Sequence, residues 1–142
     1  MESRKNVDYR FELARGFLNE AEEDFTRKHW RSCVAGSILV IENTALAVLM
    51  LFGVSSFIHK PGKHLLQLLS EKTVTEEIAE MIREMLPALE KYDSNEKMLV
   101  KFGDESSYQL PWDLFHEGEG LTALESARKC MRVSVEIAAL IP

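Results

Sequence analysis

Cysteine is scarce here. Two in 142 residues cannot make a disulfide framework, and Cys33 and Cys130 show no metal-type spacing. Both lie in apolar helical stretches and read as free, buried thiols, which fits a reducing cytoplasm. Seven glycines and four prolines leave little punctuation for a many-stranded β protein. Positive charge is short: 17 Lys and Arg stand against 23 Asp and Glu, a formal net charge of −6. The surface as a whole therefore repels nucleic acid, and any nucleic-acid contact is confined to a local patch. The start of the chain, Met1 to Arg10, is charged and has no apolar region after it, so no secretory signal is expected. Missing too are a Walker loop, a dinucleotide glycine signature, a Gly-x-Ser-x-Gly elbow and a His-Glu-x-x-His pair. No hydrolytic triad, metal site or cofactor is read from the chain.

What is present is apolar and helical. Hydrophobic residues make up 46% and charged residues 28%, an ordinary globular balance for one domain over residues 1–142. From Cys33 to Ile58 the chain is almost wholly apolar, with Glu42 and Asn43 at its centre. The run is long enough to cross a bilayer. A carboxylate near mid-span would cost about 2.5–3.5 kcal/mol there, and basic residues flank both ends alike. A buried bundle helix is therefore expected, and no membrane.

The rest of the chain supplies helices to cover it. Val7, Phe11, Ala14, Leu18, Ala21 and Phe25 recur at steps of four and three, which predicts a one-sided helix over Arg4–Arg27. The central helix runs from Trp30 to Gly53, a glycine suited to a C-terminal stop. A loop through Pro61 and Gly62 leads to a short helix, Lys63–Glu71. Thr75 is the N-cap of a fourth helix, with Glu76 and Glu77 in its first turn and Pro87 placed to kink or split it. Gly103–Gly120 has no lasting periodicity and reads as a long loop, anchored on the bundle by Trp112 and Phe115. A last helix over Leu121–Leu140 carries two apolar stripes. The expected fold is all-α, an antiparallel up-and-down bundle of about five helices. Apolar faces on both sides of the second and last helices predict a homodimer.

The candidate functional residues lie at the interruptions. Arg31, Ala35, Ile38, Glu42 and Leu49 share one face of the central helix. Glu42 needs a partner from another helix, a dimer mate or a ligand, because Arg31 is three turns away. Asn43 shares a face with Gly36 and Ala47, small residues that permit close backbone approach. The pair Glu42–Asn43 either fixes register or marks a site. Lys101 and Asp104 bracket a Lys-Phe-Gly-Asp sequence that reads as a helix end with a glycine stop, or as a contact for phosphate or a partner. His59 and His64 flank the Pro61-Gly62 turn without a third ligand, and His116 stands alone.

In order and spacing these features resemble the HEPN family (higher eukaryotes and prokaryotes nucleotide-binding domains) over roughly Val7 to Leu140. The resemblance is carried by the amphipathic first helix followed by Trp30, by Ile-Glu-Asn-Thr-Ala-Leu-Ala around Glu42, and by Gly53. His64-Leu65 and Lys101-Phe102-Gly103-Asp104 follow, the latter where many members have Arg-Tyr-Pro-Asp or Arg-Tyr-Gly-Asp, and then the small-residue-rich start of the last helix. It implies a dimeric helical bundle that binds a nucleotide or a minimal nucleotidyltransferase, as in toxin–antitoxin pairs, through Glu42, Asn43, His64, Lys101 and Asp104. The ribonuclease branch of the family uses an Arg followed after four to six residues by a His, and no Arg here has a His at that spacing. Lys101 replaces the usual arginine and lacks its planar fork, and Leu46 stands where many members carry a lysine. A non-catalytic module is expected. The alternatives are a divergent metal-independent ribonuclease using His64 or His116 with a lysine, and a purely structural helical module.

Overall fold

The computed structural model describes residues 4–54 and 60–142. The end of the apolar run at 55–58 and the candidate His59 lie outside the described residues. Seven helices are present among the described residues: α1 Arg4–Thr26, α2 Trp30–Leu51, α3 Pro61–Ser70, α4 Glu76–Lys91, α5 Asn95–Phe102, α6 Pro111–Leu114 and α7 Glu117–Ala139. Among the described residues there is no β-strand, and the sole bridge pairs Asp104 with Gln109.

The all-α expectation holds; the count of about five helices does not. One reason is Pro87. It neither splits nor ends α4, which runs on to Lys91. Pro87 and Arg83, whose carbonyl loses its donor, both face solvent, where water can replace the missing bond. The chain breaks instead after Lys91, with Tyr92 as C-cap and a new helix from Asn95. A second reason is the stretch read as a long loop. It holds α6, and α7 begins at Glu117, where the Glu119 carboxylate accepts from the His116 backbone N–H at 2.7 Å. Gly118 and Gly120 therefore sit inside a helix. At Gly120 a Cβ would meet the Trp30 ring at 3.3 Å, so that glycine permits close packing and does not mark a loop. Pro61 is likewise no loop residue: it opens α3 at the first helical position, where its missing N–H costs nothing.

Three long helices form the centre. A three-residue turn after α1, with Lys28 at φ 61°, sends α2 back antiparallel to α1. Gly36 of α2 lies against Ala21 of α1, where an added Cβ would be 3.4 Å from the Ala21 methyl. α7 runs antiparallel to α1: the Arg4 guanidinium donates to the Ile141 carbonyl at 3.2 Å. It runs parallel to α2, since the Cys33 thiol near the start of α2 meets the Gly120 carbonyl near the start of α7 at 3.6 Å. The bundle thus does not alternate strictly up and down, because α3 to α6 carry the chain back before α7 begins.

This arrangement covers α2 from within one chain. Its inward residues from Cys33 to Met50 pack against α1 and α7, with α3, α4, α5 and α6 closing the remaining sides. α2 is the one described helix long and apolar enough to span a membrane, and 67% of its most apolar 18-residue window is buried inside the protein. The apolar faces of α2 therefore need no second subunit to hide them. On α7 the stripe residues Leu124, Cys130, Met131, Val133, Ile137 and Ala138 are buried, whereas Val135 and Leu140 are exposed.

Thr75 caps α4 as expected, its hydroxyl accepting from the Ile78 N–H at 3.3 Å. Gly103 ends α5 at φ 68°, and a Cβ there would lie only 2.2 Å from the Gln109 carbonyl oxygen. Gly103→Ala is therefore expected to cost about 2 kcal/mol or more in urea unfolding, combining left-handed strain with a backbone clash. Gly118→Ala, whose Cβ would meet nothing within 4 Å, is expected to be neutral or stabilising. Equal losses at the two positions would contradict this account of the turn.

Candidate functional site: the groove between the second and fifth helices

Arg31, Ala35, Ile38, Leu39 and Glu42 of α2 form one wall of an open groove, and Lys97, Val100 and Lys101 of α5 form the other. Its volume is about 280 Å³. Apart from Leu49, which is buried, the α2 face read from the sequence is the face that lines this groove. Positions 97 and 101 of α5 are four apart, so Lys97 and Lys101 lie on one side of that helix and both line the groove.

Glu42 finds its partner on another helix. The Lys97 ammonium lies 2.5 Å from a Glu42 carboxylate oxygen, with about a quarter of each side chain exposed. Glu42 also borders a small cavity of about 10 Å³ at the start of α3, together with Pro61, Gly62, Tyr92 and Asp93. Arg31 turns the other way and donates from Nε to the Val100 carbonyl at 2.8 Å, satisfying an end carbonyl of α5. The groove thus carries three cations, Arg31, Lys97 and Lys101, against one carboxylate, over a floor of Ala35, Ile38, Leu39 and Val100. In a chain of net charge −6 that is a local reversal of sign.

Asn43 points elsewhere. Its carbonyl oxygen accepts from the Arg10 guanidinium of α1 at 3.0 Å, and its amide donates to the Leu39 carbonyl at 2.9 Å. At 6% exposure it is a satisfied polar link that sets the register of α1 on α2. The other three candidates divide. Lys101 is in the groove. His64 is half-buried on α3 and does not line it. Asp104 also lies outside it and organises the turn after α5: one carboxylate oxygen accepts from the Ser106 N–H at 3.1 Å and the Ser106 hydroxyl at 2.6 Å. These bonds, with those of Ser107, hold the Asp104 carboxyl below the usual range. His116 caps α7 and sits 2.9 Å from the Asp113 carbonyl.

Three contributors were missed by the sequence reading: Lys97, Arg10 and the capping role of Arg31. Lys97 could have been found from its i, i+4 relation to Lys101. Arg10 could have been found from its place between Val7 and Ala14 on the inward side of α1. Of the two loop anchors expected, Phe115 is buried in the core, but Trp112 is 67% exposed. Trp112 borders a second cleft of about 200 Å³ with Lys28, His29, Trp30, Arg31, Ser32 and Phe115, and Arg31 belongs to both clefts.

The described residues contain no group of three or more His, Cys, Asp or Glu placed to hold a metal ion. Both cysteines are free and buried, and burial pushes the thiol of Cys33 up to about 11 and that of Cys130 up to about 12. Neither is a thiolate nucleophile near neutral pH. The site as built can hold an anion and an apolar group side by side; it presents no activated nucleophile. Comparison with protein-family models, with curated proteins and with solved structures finds no match for the chain.

Two measurements check this geometry. Asn43→Ala leaves the Arg10 guanidinium without its acceptor and is expected to cost about 1–3 kcal/mol in urea unfolding. Glu42→Gln, at a half-open ion pair, is expected to cost about 1 kcal/mol or less. The reverse ranking would contradict the assignment of Asn43 to register and Glu42 to the groove. Separately, a thiol reagent at pH 8 is expected to label neither cysteine in the native protein and both in denaturant; rapid native labelling would contradict their burial.

Proposed function

We propose that the chain is a non-catalytic, cytoplasmic, HEPN-like helical binding module that takes a nucleotide in the groove between α2 and α5. The observation that carries this reading is the convergence of Arg31, Lys97 and Lys101 on an apolar floor in an otherwise acidic protein. Phosphate would lie toward Lys101 and the free nitrogens of Arg31, and an apolar or aromatic portion would lie over Ile38 and Leu39. Glu42 then serves to fix the Lys97 ammonium at the rim, which makes it a positioning residue. Asn43, His64 and Asp104 are not required.

The placement of the histidines supports the non-catalytic reading. His64 and His116, the candidates for a metal-independent ribonuclease, both stand outside the groove that holds the lysines. A minimal nucleotidyltransferase, the protein partner the resemblance implies, remains the alternative occupant.

Titration calorimetry with ATP tests the reading. Wild-type protein is expected to bind, with affinity falling as salt rises. Lys101→Ala is expected to weaken binding about fivefold and Lys101→Glu to weaken it further, with ATP recovered intact after incubation. Binding that ignores Lys101→Glu, or no binding at low salt, would overturn the nucleotide reading. Cleavage of single-stranded RNA in EDTA that disappears in His64→Ala or His116→Ala would establish the ribonuclease instead.

A further inference from the structure

The fold leaves one buried phenol unanswered. Tyr92 is 3% exposed, yet no group among the described residues hydrogen-bonds its hydroxyl. Burying a hydroxyl without a partner is costly, and native proteins seldom do it. Thr44 and Ser134, equally buried, bond to the Ile41 and Met131 carbonyls. The Ser37 oxygen is unbonded too, but it is sealed among packed side chains, whereas that of Tyr92 is not.

Two cavities touch Tyr92. The small one beside Glu42 and Pro61, of about 10 Å³, has room for a water at most. The larger, of about 310 Å³, opens between the end of α4 and the first turns of α5 and α7. That volume suits a small organic molecule. The hydroxyl belongs to the larger cavity. Burial, then the Glu96 carboxylate and the Cys33 thiol, push it up to about 12. Glu96 lines the larger cavity, and Cys33 directly precedes Val34, which lines it as well. Near neutral pH the phenol is therefore uncharged and can accept as well as donate.

The cavity is short of donors. Glu96 and Glu119 stand against a single cation, Lys91. Among the described residues neither carboxylate has an ion-pair partner, and the Lys91 ammonium sits 5.7 Å over the Tyr92 ring instead. Glu119 accepts from the His116 N–H, while Glu96 accepts from nothing. The dipole of α5 favours an acid at position 96, but it gives no reason for an unbonded phenol oxygen at the same space. Buried Val34 and Phe115 supply an apolar wall.

We propose that this cavity is a binding site for a small primary amine with an apolar body. The ammonium donates to the Glu96 carboxylate and to the Tyr92 hydroxyl oxygen, and the body lies on Val34 and Phe115. No residue of this cavity lines the groove between α2 and α5, so the site stands or falls independently of nucleotide binding.

Phenethylamine is the probe, and phenethyl alcohol, with a hydroxyl in place of the ammonium, is its neutral counterpart. In amide spectra of the ¹⁵N-labelled chain, millimolar phenethylamine is expected to shift Tyr92, Glu96, Gly118 and Glu119 and to leave Leu39 and Lys101 unmoved. The alcohol is expected to bind at least about fivefold more weakly, and Glu96→Gln to weaken the amine by at least about fivefold. Tyr92→Phe is expected to weaken it about threefold while leaving the urea midpoint unchanged or raised, because its hydroxyl has no protein partner to lose. No shift at about 10 mM amine, equal affinity for the alcohol, or affinity unchanged in Glu96→Gln overturns the site. A destabilised Tyr92→Phe overturns it as well, since the hydroxyl would then already be partnered within the protein.

Discussion

A 22-residue helix with almost no polar face has to be covered on every side, and the whole molecule is arranged around that requirement. Two flanking helices cannot do it. α1 and α7 close most of α2, and the chain then spends α3 to α6 on the remaining sides. Four shorter helices added to α1 and α7 around one long apolar rod leave seams where a covering helix ends. α5 has only eight residues, and the groove lies along its edge. The candidate site is thus a consequence of how the core is closed.

The two polar residues at the centre of α2 are resolved in different ways, since neighbours on a helix point about 100° apart. Asn43 looks inward to α1, its carbonyl oxygen bonded by Arg10 and its amide by the Leu39 carbonyl, so its desolvation is compensated and its geometry fixes how the two helices slide. Glu42 looks outward to the seam and keeps a quarter of its surface wet, so a single ammonium is enough to hold it. An uncompensated carboxylate in the first position would be costly; an amide in the second would leave Lys97 unanchored. What remains at the seam is an excess of positive charge beside aliphatic side chains, while the thiols are buried and protonated and the histidines stand apart. Such a surface sets cations beside aliphatic side chains in a protein that is acidic overall.

Much of this was legible in the residues. The stripe of α1, the extent of α2, the Thr75 cap and the helical face from Arg31 to Glu42 all follow from periodicity and capping chemistry, which are local. The errors came where tertiary packing overrides a local signal. Gly120 reads as a loop residue until Trp30 is seen against it; Pro87 reads as a break until its solvent-facing position is known. The two-sided apolar pattern of α2 shows that its faces must be buried and does not show which helices of the chain do it. Trp112 reads as an anchor by its size, yet Phe115 takes that place in the core and leaves Trp112 outside. The partners Lys97 and Arg10 come from remote segments, 55 and 33 positions away, and no local rule links them to Glu42 and Asn43.

The central claim is that the face of α2 left open by α5 is where this protein meets its ligand. Backbone amide chemical shifts of the ¹⁵N-labelled chain, followed as ATP is added at low salt, locate that contact directly. The account expects shifts confined to Arg31–Glu42 of α2 and Lys97–Lys101 of α5, with the turn at Asp104 and the start of α3 around His64 unmoved. Shifts centred on His64, on Asp104 or on the outer face of α1, with the groove silent, would contradict it.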